Sequence, residues 1–133
     1  MLAKDVRPSL FLLRLGIFAV MAVWAGDKFF RPEHTAAVFE HFYMLPVITP
    51  TVSYVIGAVQ ALIAVAFLFG VRKKWSYGLV LFMHTVATFT SWRQYLQPYE
   101  DANILFFAAW PMWAAILTLY ALRDQDTLMT VRR

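Results

Sequence analysis

Three strongly polar side chains stand inside apolar stretches of this chain. They are Arg14 in SLFLLRLGIFAVMAVWAGDK, Gln60 in the run after Pro50, and His84 in the run after Trp75. An ionisable group within a membrane-length apolar run is a functional candidate, because its lost hydration must be offset by something. Arg14 can hold an anionic or carbonyl-bearing ligand, or a partner carboxylate. It can also snorkel to the headgroups, since it lies about one turn, roughly 6–8 Å, inside its helix. His84 lies about 12 Å in, and Gln60, entering from the opposite side, reaches a similar depth. Those two can bond each other, or Thr85 or Thr88, with no ligand. They can equally form the polar spot of an apolar pocket suited to a quinone carbonyl or a similar head group. Trp110 and Trp113 approach the same depth, and with Phe106 and Phe107 they could wall a planar ligand or simply pack. The candidate ligand-binding residues are therefore Arg14, Gln60, His84, Trp110 and Trp113.

A second polar group gathers at the opposite end of the apolar runs. Asp27 closes the first run and Arg93 follows Trp92, so an Asp27–Arg93 ion pair, with Lys28 beside it, can border the mouth of a cavity. Mixed rim charges more often form solvated pairs worth little. His34 and His41 are seven residues apart and can share a helix face, but with Glu40 they make no recognised ligand set. A metal site needs three or four ligands with supported orientations, so no metal is expected. A single His within the spans argues against haem. The chain has no cysteine, which excludes disulfides, thiolate-held metal and thiol redox chemistry of its own. Nucleophile elbows, phosphate loops and zinc-protease patterns are absent, and catalysis by this chain alone is disfavoured.

The elements that must position these groups are membrane helices. The 133 residues are 61% hydrophobic and 15% charged, against about 45–50% and 25% in soluble domains. The excess falls in blocks of about 20 residues, the length that crosses roughly 30 Å of hydrocarbon. The pattern predicts an all-α integral membrane four-helix bundle, one domain, with spans at about 9–27, 51–71, 76–95 and 102–122. Ser9 is the expected first cap, and Pro111 should kink the last span. The first run exceeds a signal-peptide core in length, so it is read as a retained helix. Gly16, Ala19, Ala22 and Gly26 would let a neighbouring helix approach closely, and they permit a homo-oligomer. Between spans one and two, residues 33–43 form a short amphipathic helix, with Val38 and Phe42 on one stripe and Glu33 and Glu40 on another. Pro46 and Pro50 bracket an extended turn. The tail, 123–133, reads as polar and only partly ordered.

Basic residues give the orientation. Lys4, Arg7, Arg72, Lys73, Lys74, Arg123, Arg132 and Arg133 fall on one side, and Lys28, Arg31 and Arg93 on the other. The richer side should be cytoplasmic, with both termini there. Trp24, Trp92, Tyr95 and Tyr99 then form the outer aromatic belt, and Trp75 and Tyr77 the inner one. The net charge of +4 belongs to segment ends rather than to a patch with interleaved aromatics, so nucleic acid is not an expected partner.

The start Leu12-Leu13-Arg14, the close Gly26-Asp27-Lys28 of the first span, and Gly57 and Gly70 along the second resemble the DoxX/DoxD-like membrane proteins. The resemblance implies a four-helix subunit of the bacterial-type cytoplasmic membrane that serves a redox, quinone-linked system. Any flavin or metal would be held by a partner subunit, with at most a quinone or lipid on this chain. Many members carry a carboxylate in the second span where this chain has Gln60. The alternative is a membrane protein that binds or carries a lipid or other small hydrophobic molecule. An enzyme reducing quinone on the chain itself is the third reading.

Overall fold

The computed structural model describes residues 5–46 and 48–131. Lys4, Arg132 and Arg133, which enter the charge count above, lie outside them. All regular structure among the described residues is helical: α1 (Arg7–Phe30), α2 (Pro32–Tyr43), α3 (Pro50–Leu68), α4 (Lys73–Thr90), α5 (Trp92–Leu96) and α6 (Ala109–Ala121). A 3₁₀ segment, Asn103–Ala108, leads into α6. Among the described residues, three helices are long and apolar enough to cross a membrane: α1, α3, and the 19 residues Asn103–Ala121 that join the 3₁₀ segment to α6. The 18 residues of α4 carry two lysines, His84 and several hydroxyl side chains, and fall outside that group.

Helix α1 starts two residues before the expected cap. Pro8 sits in its first turn, where a missing N–H costs nothing. Val6 takes the cap position expected of Ser9 without a side-chain cap bond, and the Asp5 carboxylate accepts the Arg7 N–H at 3.0 Å. Thr49 caps α3 by accepting the Val52 N–H at 3.2 Å. Gly70, with φ of 65°, ends α3 as a left-handed glycine, and its N–H reaches the Phe67 carbonyl at 3.1 Å. The expected third span is broken at Ser91 into α4 and α5. Thr90 and Ser91 both turn their hydroxyls back onto the Ala87 carbonyl, which competes with the helix ladder. The expected kink at Pro111 becomes a change of helix type just before it. Pro111 cannot donate to the Phe107 carbonyl, and the preceding turns tighten to 3₁₀.

The core identifies which helix ends lie together. Leu10 and Ile17 of α1, Phe67 of α3, Tyr77 and Val80 of α4, and Ile116 and Leu119 of α6 form one buried cluster. The start of α1 therefore lies level with the end of α3, the start of α4 and the end of α6. At the far end, Ser53 donates to the Lys28 carbonyl at 2.8 Å, and Tyr95 packs on Phe107 with ring centres 5.3 Å apart. Thus α1 and α4 run one way, and α3 and α6 the other. Tyr77 is fully buried in this core rather than sitting in an interfacial belt, whereas Trp75 is exposed as expected.

Helix α1 packs most closely on α3, and α4 on α6. A Cβ on Gly57 would stand 2.8 Å from the Phe29 ring and 3.0 Å from the Lys28 Cβ, so this glycine sets the α1–α3 separation. The small-residue stripe on α1 does not serve this contact. A Cβ on Gly16 would meet nothing within 4 Å, and Ala19 and Ala22 are exposed. The face that α1 buries carries Leu10, Arg14, Ile17, Met21, Ala25 and Lys28 instead. Helix α2 matches its amphipathic reading: Thr35 is buried, Val38 and Phe42 are half-buried, and Glu33 and Glu40 are exposed.

Candidate functional site

Arg14 lies where the four long helices converge and has no exposed surface. Its Nη1 donates to the Tyr77 hydroxyl at 3.2 Å and to Asp126 Oδ2 at 3.2 Å, while Nη2 donates to the Leu128 carbonyl. Tyr77 also donates to Asp126 Oδ2, at 2.5 Å. Lys73 donates to the Arg123 carbonyl at 3.1 Å and to that of Asp126. The Arg14–Asp126 pair is therefore fully buried, with a phenol bridging it and a lysine fastening the backbone around it. Arg14 does not snorkel.

Asp126 belongs to the segment expected to be a partly ordered tail. The segment instead folds back onto the bundle, where Asp126 has no exposed surface. The Val131 N–H bonds the Phe69 carbonyl at 2.9 Å, and a Cβ on Gly70 would stand 2.7 Å from the Thr130 methyl. The polar composition of the tail suggests partial order, but a buried arginine needs an acidic partner. The carboxylates near the converging ends are Asp5, Asp124 and Asp126.

The remaining candidates do not converge on Arg14. His84 Nε2 lies 3.1 Å from the Ala109 carbonyl on α6, so the expected Gln60–His84 bond is not made. Gln60 keeps a buried Oε1 without a partner among the described residues. The Thr85 and Thr88 hydroxyls bond their own helix, at Leu81 and His84. Trp113 donates its indole N–H to Thr85 Oγ1 at 2.9 Å and packs with Trp110 and Phe89. Trp110 also packs against Tyr95. These aromatics tie α4 to α6 and α5. The His84 ring nitrogen and the Trp113 indole N–H are thereby used inside the chain.

The outer rim departs from expectation. Asp27 pairs with Arg31 at 2.7 Å and accepts His34 Nδ1 at 2.6 Å, rather than reaching Arg93. A helical neighbour four residues away and the next helix's His34 both lie closer than the far pair of helices. Arg93 is exposed and lies over the Trp92 ring at 5.2 Å. Lys28 turns back to the Trp24 carbonyl at 3.3 Å. His41 approaches Gln94 at 3.4 Å, away from the Asp27 partner of His34. Among the described residues, no group of three His, Cys, Asp or Glu side chains is placed to hold a metal ion.

A helical chain with three membrane-length apolar helices, which neutralises a buried arginine with its own carboxylate, is a multi-pass membrane protein. Residues 6–103 match the family model described as methylamine utilisation protein MauE. That match covers most of the chain, and the chain belongs to the MauE family. No curated protein and no solved structure matches it.

Proposed function

We infer that this chain is a four-span auxiliary subunit of a redox system that serves methylamine utilisation in the bacterial-type cytoplasmic membrane. The observation that carries the link to methylamine utilisation is the family match over residues 6–103. The antiparallel run of α1, α3, α4 and α6 supports the fourth crossing. The ends of α3 and α6 lie at the same level, which favours a return by α4 between them. Its 18 residues rise about 27 Å, close to a hydrocarbon core. Both described chain ends lie at the Arg14 end, beside Arg7, Arg72, Lys73, Lys74 and Arg123, which supports a cytoplasmic placement. The quinone link comes from the DoxX/DoxD-like motifs at Arg14 and Gly26-Asp27-Lys28. With the His84 and Trp113 ring nitrogens engaged internally, Gln60 and Trp110 are the candidates left to meet a quinone carbonyl, and the redox centre belongs to a partner subunit. Purification from native membranes in mild detergent, followed by mass spectrometry, should recover an oxidoreductase component with this chain. A reproducibly partner-free protein overturns the reading.

A second reading, binding of a lipid or other hydrophobe, has one observation in its favour. A groove of about 600 Å³ runs along α1 between Ala22 and Phe30, with Trp24 on its wall and Arg31 and His34 at its polar end. Native mass spectrometry of the chain with extracted lipids should then show one stoichiometric amphiphile. A lipid-free chain removes this reading.

A further inference from the structure

The Arg14 pocket makes an incomplete fit to its present occupant. Asp126 meets Arg14 through Nη1 and Oδ2 alone, while Arg14 Nε and Asp126 Oδ1 are both buried without partners among the described residues. A carboxylate facing a guanidinium can form two parallel bonds, and this one forms a single bond. The rest of the recognition goes to the peptide backbone: the pocket's two cations bind the carbonyls of Arg123, Asp126 and Leu128. Arg14, Lys73 and Tyr77 thus read one carboxylate and three main-chain carbonyls of a turn-forming segment. Beyond these bonds the segment is held at Phe69 and against Gly70.

We propose that Arg14, Lys73 and Tyr77 form a binding site for an acidic peptide segment. The chain's own residues 123–131 are its resident, exchangeable ligand. The ligand in trans is a partner polypeptide that presents a carboxylate within a turn. When that segment enters, the tail leaves, and the end of the bundle where both described chain ends lie opens around Arg14. This inference stands apart from the redox reading, because the site is defined by its own contacts.

The absence of cysteine gives a direct test. The probe is a fluorophore on Gln125→Cys, an exposed tail position, in the full chain in detergent. The competitor is a synthetic peptide of residues 122–131. A tethered ligand is present at an effective concentration of about 1 mM, so the peptide must be added at and above that level. The anisotropy of the label should fall as the peptide displaces the tail. The same peptide with Asp126→Asn should act at least about tenfold more weakly, as expected for loss of a charge-assisted bond. In the chain carrying both Gln125→Cys and Asp126→Asn, the label should be mobile before any peptide is added. The proposal is overturned if neither peptide displaces the tail at about ten times the tethered concentration, or if both peptides act equally. Should the Asp126→Asn chain lose its helical circular dichroism, the competition on the Asp126 chain decides alone.

Discussion

At the scale of single residues, the buried pair sets an asymmetry between losing one partner and losing both. Arg14→Leu deprives the Asp126 carboxylate of its paired guanidinium, which costs up to about 3–5 kcal/mol if the tail stays docked and less if the tail leaves. Arg14→Leu with Asp126→Leu removes both charges and refills the space, and should return the chain to within about 1–2 kcal/mol of its original stability. Thermal unfolding of the detergent-solubilised variants measures both. A double variant as unstable as the single one would mean that the pair holds the tail by more than charge compensation. Membrane insertion should persist in both, because each change removes polarity from the chain. Arg14 was legible as a site because an arginine in an apolar run is conspicuous. Asp126 was not, because a carboxylate in a short polar tail looks the same whether water or an arginine solvates it. His84, Trp110 and Trp113 share a similar depth in the sequence reading, but depth carries no azimuth. His84 and Thr85 of α4 meet α6, at Ala109 and Trp113.

At the scale of elements, the contact between α1 and α3 depends on the missing side chain at Gly57. A methyl there overlaps the Phe29 ring, which can swing, and crowds the Lys28 Cβ, which can move only with α1. Gly57→Ala should therefore cost about 1–3 kcal/mol by overpacking, and Gly57→Leu more, with the loss centred on the Ser53–Lys28 carbonyl bond. Gly16→Ala should cost nothing comparable, since nothing lies within 4 Å of the added atom. Equal melting temperatures for the Gly57→Ala and Gly16→Ala variants would refute this use of the two glycines. The helices themselves were readable from runs of apolar residues and from proline and charge at their ends, and α2 was readable almost to the residue. Two things were not. The stripe of small residues on α1 signals that close approach is allowed without saying by what, and α3 uses the other face. The break at Ser91 follows from hydroxyls turning back onto Ala87, a local competition that hydropathy does not register.

For the whole molecule, the number of crossings and the direction of α4 stand or fall together. The buried cluster sets Leu10, Phe67, Tyr77 and Leu119 at one level, and on the proposed four-span reading α4 crosses back between α3 and α6. The relative polarity of α4 fits this role. Thr85 and Thr88 satisfy their hydroxyls within their own helix, and Trp113 and Ala109 satisfy Thr85 and His84 from α6, so the helix presents fewer unmet polar groups than its composition suggests. Single cysteines at the exposed positions Glu33, Lys74, Asp101 and Asp124 make the arrangement measurable against a cysteine-free background. A membrane-impermeant maleimide applied to intact cytoplasmic membranes should label Glu33→Cys and Asp101→Cys. Lys74→Cys and Asp124→Cys should react only after the membrane is opened. If Lys74→Cys and Asp101→Cys react together from one side, α4 does not cross and the antiparallel arrangement is wrong. If Lys74→Cys and Asp124→Cys react from outside while the other two stay protected, the four crossings stand and the excess of basic residues has been assigned to the wrong face.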